Sequence, residues 1–405
     1  VYLSCMNDVT QSFDPSRTAA LARLSAFVPR AGRAYATRRN YDYGPEAHTA
    51  VSTLSPYIRH RLITEVEVLQ AVLGRHSSQA AEKFIQEVFW RTYWKGWLEL
   101  RPSVWTMYQA DVRRGLDLIQ TQAGLRSKWE DACHGTTGIA AFDSWAHELV
   151  RTGYLHNHAR MWFASIWVFT LGLPWALGAD FFLRHLLDAD PASNTLSWRW
   201  VAGRQTHAKT YLASSDNIAK YTEGRFANTR DLATFAPAPE MIPHPPIQDL
   251  RKPSHPDPAA RTGVILHSDD LHPGYVLDTV SSSVACIALD TRAGLSPLAP
   301  GPLGDGFQSG AIDDVQTRWA DRLGPYHGHT TDARGIMDWA ARHDLDQIVT
   351  AYAPVGPNAD LLARISSVTV QRVRRAYDDT AWPRATAGFF KFKAKIPQLI
   401  DTVVC

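Results

Sequence analysis

Four short stretches hold the residue types from which a buried polar site is built. "LLDADPASNTLSWRW", residues 186–200, carries Asp188, Asp190, Asn194, Trp198 and Trp200. These are two carboxylates, an amide that both donates and accepts, and two large oxidisable rings. "TGYLHNHARMW", residues 152–162, gathers His156, Asn157, His158, Arg160 and Met161 on an apolar background, where polar groups find partners or suffer desolvation. Arg160 requires an anion, and the aspartates of the first stretch supply one. No further carboxylate or histidine near Asp188 and Asp190 follows a metal-ligand pattern, so pairing with Arg160 and accepting hydrogen bonds from a buried ligand is the more economical reading, and no metal is expected.

"EVFWRTYWKGW", residues 87–97, sets Glu87 and Arg91 at i, i+4, with Trp90, Trp94 and Trp97 at helical spacing. This is either an ion pair beside a core stripe or an acid, a base and an aromatic face lining a cleft. "VSTLSPYIRHR", residues 51–61, places Ser52, Thr53, Leu54 and Ser55 ahead of a helix that Pro56 begins well. Either Ser55 caps that helix or the hydroxyls and free N–H groups hold a phosphate.

The elements that must position these groups differ along the chain. From about residue 57 to 190 apolar residues recur at helical spacing, as in "YIRHRLITEVEVLQAVL". Eight prolines fall in the 22 residues from Pro237 to Pro258, a composition that continues neither helix nor sheet. Beyond them "TGVILHSDD", "SVACIALD" and "LDQIVTAYAP" are short β-branched runs separated by helix-length segments, the pattern of a parallel α/β unit. "VGPNADLLARI" starts a helix just past a strand end, where open parallel sheets bind ligands, although no G-x-G-x-x-G fingerprint accompanies it. The expected organisation is an all-helical domain over residues 1–229, a Pro-rich linker over 230–262 and a parallel α/β domain over 263–405.

With 405 residues, 45% hydrophobic and 20% charged, the chain is long enough for two buried cores. A net charge of +2 means that a polyanionic partner must be held by a local patch and not by the field of the whole molecule. Cys5, Cys133, Cys286 and Cys405 form no C-x-x-C pair and read as reduced structural thiols of a cytoplasmic protein. "MWFASIWVFTLGLPWALG" is broken by Gly and Pro and flanked by charge, so a buried helix is expected and no membrane span. The 14 tryptophans are concentrated between Trp90 and Trp200 and need a packing or a chemical reason.

"YATRR", "STLSPY", "EVFWR", "TGYLHNHARM", "LLDADPASN" and "WRW" occur over residues 35–226 in an order and at a spacing that resembles the DNA photolyase and cryptochrome superfamily. The resemblance implies a helical domain holding FAD in a folded conformation, a flavoprotein whose chromophore drives blue-light electron transfer. It assigns Tyr35, the Ser52–Thr53–Leu54–Ser55 loop, Arg91, Asn157, Arg160, Asp188, Asp190 and Asn194 to the cofactor, with the Arg160–Asp188 pair flanking the flavin ring and Asn194 beside its N5. It makes Trp198 the nearest electron donor and Trp175 the next. Glu87, Trp90, Arg91, His158, Met161 and Trp200 line the cavity for a flipped pyrimidine dimer, and Glu87 and Asn194 join Trp175 and Trp198 as catalytic groups.

The implied activity is lyase-type repair of damaged DNA, the alternative a blue-light photoreceptor acting on a signalling partner, and a third reading a FAD-dependent redox enzyme on the same fold. The chain departs from the family's pattern in three places. No outermost tryptophan precedes Trp129, which leaves a detour through Tyr154 or Trp162. His158 stands where the family has an arginine. The α/β half follows the helical one, and any second antenna chromophore is unknown.

Overall fold

The computed structural model describes residues 13–206, 209–237 and 243–404. The sequence-based expectation of a helical part followed by a parallel α/β part holds: helices run from Arg17 to Tyr221, and five parallel strands follow. Cys5 and Cys405 lie outside the described residues. No helix among the described residues is long and apolar enough to cross a membrane.

The longest helices are those with continuous apolar faces. Glu82–Glu99 buries Phe84, Ile85, Val88, Phe89, Tyr93, Trp94 and Trp97, and it forms the spine of the helical part. The apolar run at 161–178 is interrupted as its Gly and Pro residues require. The Asn157–Ser165 helix passes into a π-helical turn, Ile166–Thr170, and after Pro174 a new helix, Trp175–His185, begins. Helix Pro191–Val201 follows, capped by Asp190, whose Oδ1 accepts from the N–H groups of Ala192 and Ser193 at 2.9 and 3.3 Å.

The sheet comprises β1 (Thr262–Leu266), β2 (Ala285–Leu289), β3 (Tyr326–Thr330), β4 (Gln347–Ala351) and β5 (Thr369–Val373), all parallel, in the order β3-β2-β1-β4-β5. β1, β2 and β4 are buried throughout, as their apolar runs require. The order reverses between β1 and β4, and the crevice beyond their carboxyl ends is where such sheets bind ligands. Here the helical part fills it. Arg59 meets Asp269 at 2.7 Å, Glu99 accepts from Tyr352 Oη and Val355 N at 2.6 and 2.5 Å, and a void of only about 10 Å³, the size of one water, remains among Arg59, Lys95, Asp190 and Asp269.

Residues 376–404 return to the helical part. Trp382 packs so tightly on the long helix that a Cβ on Gly96 would lie 2.8 Å from its Cα. Thr92 bonds the hydroxyl of Tyr377 at 2.8 Å. Arg61, buried and at φ 52° in the left-handed region, holds Asp378 at 2.7 Å and Asp270 at 3.2 Å, so one guanidinium joins the sheet, the C-terminal helices and the helical part.

Candidate functional site

Arg160 and Asp188 come together in the helical part. His156 caps the Asn157–Ser165 helix, its Nδ1 accepting from His158 N at 3.1 Å, and one turn on Arg160 projects toward the loop that precedes Asp190. Its Nη1 and Nη2 lie 3.3 and 3.2 Å from the Asp188 carboxylate, and its Nε donates to Leu155 O at 2.9 Å. Burial pushes the Asp188 carboxyl up, but Arg160, Arg91 and the Ser55 hydroxyl outweigh it and hold the group below its ordinary range. Asp190 is also held low against its burial, by Lys95, Arg59 and Arg91.

Glu87 and Arg91 do not pair with each other. Glu87 accepts a close contact from Arg39, just past the Arg33–Arg38 helix, and Arg91 reaches Asp190 at 3.2 Å, so each binds the long helix to a different neighbour. Burial raises the Glu87 carboxyl pKa although Arg39 opposes the rise. On the Pro191–Val201 helix Asn194 donates Nδ2 to Ala179 O at 2.8 Å, and its Oδ1 accepts no hydrogen bond among the described residues. Behind it Trp198 is buried against Gly178, where an added Cβ would meet its ring at 2.4 Å.

The remaining residues singled out in the sequence are more scattered. Tyr35 lies edge-on to Phe27 and Phe84. Ser52 Oγ accepts from Leu54 N at 3.3 Å, and Thr53 Oγ1 accepts from Arg23 at 2.8 Å. The short helix starts at Ser55 with the cap position on Leu54 and no side-chain cap, so Ser55 is the first helical residue and not its cap. Asn157 is exposed, and Met161 is half-buried beside Arg160. His158 stacks on Trp162 at 4.2 Å and bonds Asn40 O at 3.0 Å. Trp200 stacks on Tyr211 at 5.9 Å, and Trp175 meets Tyr108 at 5.8 Å.

Two residues of the site escaped the sequence reading. Trp167 is the tryptophan in ring contact with Trp198, perpendicular at 6.3 Å, and it sits in the π-helical turn, a distortion that recurs at functional sites. Its place in an apolar run made it look like core. Phe389 stacks flat on Trp90, centroids 3.5 Å apart and planes 12° apart, and covers one face of that indole. Only the run of Phe and Lys at 389–395 hinted that this segment has a place to dock.

Residues 84–232 match the model of the FAD binding domain of DNA photolyase. Over these residues the chain is similar to the photolyase and cryptochrome superfamily. The photolyase-type part is similar to the deoxyribodipyrimidine photo-lyases of Alkalihalophilus pseudofirmus, 28% identical over 55% of this chain and 45% of that one, and of Thermus thermophilus, 30% identical over 59% and 55%. The chain thus spans about half the length of the curated relatives it matches. Among solved structures a class III photolyase from Agrobacterium tumefaciens is similar over 53% of this chain and 44% of its own, at 27% identity and a TM-score of 0.44.

The donor set of the photolyase-type part fits a flavin. Two of the five guanidinium N–H groups of Arg160 remain after Leu155 and Asp188 are served, Asn194 keeps a free acceptor, and the Ser55 hydroxyl stands beside the Asp188 carboxylate.

Proposed function

We propose that the protein is a photolyase-type flavoprotein of the cytoplasm that uses blue light to move one electron onto a pyrimidine lesion in damaged DNA. The observation that carries the reading is the Arg160–Asp188 ion pair just ahead of the Pro191–Val201 helix, on which Asn194 keeps a free acceptor and Trp198 is buried against Gly178. Bound FAD supplies a light-absorbing carrier of single electrons. Arg160, paired with the Asp188 carboxylate, would help to hold it with its spare N–H groups. Asn194 offers an acceptor to a protonated nitrogen and can turn to donate to an unprotonated one. With FAD bound, Trp198 would pass on the electron that readies the site, Trp167 and Trp175 would refill it, and an external reductant would replace that electron in turn. Glu87, its carboxyl pKa raised by burial against the pull of Arg39, is a polar group of the lesion cavity. Trp90, Met161 and Trp200 hold the extruded bases, which flip out cheaply because a damaged pair is poorly stacked. The electron returns once the dimer has split, so the cycle uses light and no net reductant.

The test is to illuminate the reduced protein with a dimer-containing oligonucleotide, with a dark control, and to count restored bases. Light-dependent restoration supports the reading. The Phe389 ring over Trp90 favours a second reading, a photoreceptor that acts through a signalling partner; flavin that photoreduces while every dimer persists decides for it.

A further inference from the structure

We propose that the Phe389–Lys393 helix is a nucleic-acid contact, with Phe390 stacking on an unpaired base and Lys391 and Lys395 on the flanking phosphates. The inference rests on the DNA reading above and adds a surface outside the family-type domain. Phe390 is 84% exposed, the most exposed of the large hydrophobic residues described. It is also held in place. Phe389 is stacked on Trp90 and Phe392 is buried, Tyr93 Oη donates to Ala387 O at 2.8 Å, and Lys393 pairs with Glu82 at 3.0 Å. A rigidly presented, solvent-facing ring loses little entropy when it stacks, which is what a base-stacking platform requires.

The segment's own charge is basic, with Glu82 taken up by Lys393. Residues 380–400 contain Arg384, Lys391, Lys393 and Lys395 and no acidic residue. Lys391 and Lys395 are exposed, and the Arg33–Arg38 helix, which also packs on the long helix, exposes Arg33 and Arg38. In a chain whose net charge is only +2, Lys391 and Lys395 beside Phe390 make a local basic patch, complementary to a phosphate backbone. A membrane surface suits the helix less well: it has five residues, and its other two phenylalanines are spent on the protein core.

The full-length protein is titrated, by fluorescence anisotropy, with a fluorescein-labelled duplex containing one cyclobutane dimer, as wild type, Phe390→Ala and Lys391→Ala/Lys395→Ala, each at several salt concentrations. Phe390→Ala is expected to weaken binding about tenfold, with flavin content and melting temperature unchanged. The double lysine variant is expected to lower the slope of log affinity against log salt by up to about 2. Wild-type binding that neither variant alters overturns this inference and leaves the DNA reading standing. A wild type that binds no DNA overturns both. Sedimentation with phosphatidylserine vesicles completes the set, and vesicle binding that depends on Phe390 while oligonucleotide binding does not also overturns the proposal.

Discussion

Gly178, on the Trp175–His185 helix, leaves space that the indole of Trp198 occupies, since an added Cβ would stand 2.4 Å from one ring carbon and 2.5 Å from the next. Gly178→Ala is therefore expected to push Trp198 off its seat, destabilising the fold by about 1–3 kcal/mol through overpacking. The same displacement should slow bleaching of the flavin absorbance under blue light, and stopped illumination of matched samples reads both effects together with a melt. Asp188→Asn tests the neighbouring pair. Removing one partner of a fully buried ion pair costs roughly 3–5 kcal/mol, and since the Arg160 side chain is 23% exposed and partly solvated the expected cost is nearer about 2 kcal/mol. Flavin retention should fall further than stability does, measured by absorbance after gel filtration. At this scale the Arg160–Asp188 pair was legible in the sequence, and other pairings were not. Glu87 and Arg91 stand at i, i+4, yet each is drawn to a charge on another element, Arg39 and Asp190, because a partner far along the chain leaves no trace in local spacing.

Strands and helices were legible in proportion to how they are buried. β1, β2 and β4 are buried at every residue and appear as continuous apolar runs. β3, "YHGHT", and β5, "TVQRV", are the two edges of the sheet; β3 is partly or fully exposed along its length, so no apolar run announces it. The docking of residues 376–404 on the long helix was also invisible, since it depends on a glycine whose partner comes nearly 290 residues later. Gly96→Ala is expected to loosen that docking, because the added Cβ meets the Trp382 backbone at 2.8 and 3.0 Å and a backbone cannot turn aside. Limited proteolysis should then cut between 376 and 404 much faster than in the wild type, while cleavage within the sheet is unchanged. Equal rates at both places would show that the helix and Trp382 separate without strain.

Across the whole molecule, His60 links the two halves. Its Nδ1 is 2.7 Å from Ser268 O, after β1, and its Nε2 is 3.0 Å from Leu187 O, in the loop that leads to Asp188. Burial and the neighbouring Arg59 lower its pKa to about 4, despite the two carbonyls that favour its proton. The folded ring thus stays neutral to about pH 4, while in the unfolded chain it takes a proton below about 6.5. In that window the unfolded state binds more protons, so stability is present above about pH 6.5 and falls as the pH drops toward 4, by roughly 3 kcal/mol for this group. Asp269, on the same boundary, is held to about 2 by Arg59 and His267 against its burial, and its contribution is lost only at lower pH. Urea unfolding at intervals from pH 7 to 4 measures the slope, and His60→Gln should flatten it by about one proton; an unchanged slope would place the titration elsewhere.

The return of residues 376–404 to the long helix also sets a timetable for synthesis. Trp90, Tyr93 and Gly96 leave the ribosome early, but Phe389 and Trp382, which cover them, follow only after nearly 290 to 300 further residues. At roughly 5–20 residues per second this is a wait of roughly 15–60 s. For that time the nascent chain shows an uncovered aromatic face to whatever chaperone or neighbouring chain meets it. Slow codons between 100 and 376 would lengthen the exposure and lower the yield of folded protein without changing one residue of it.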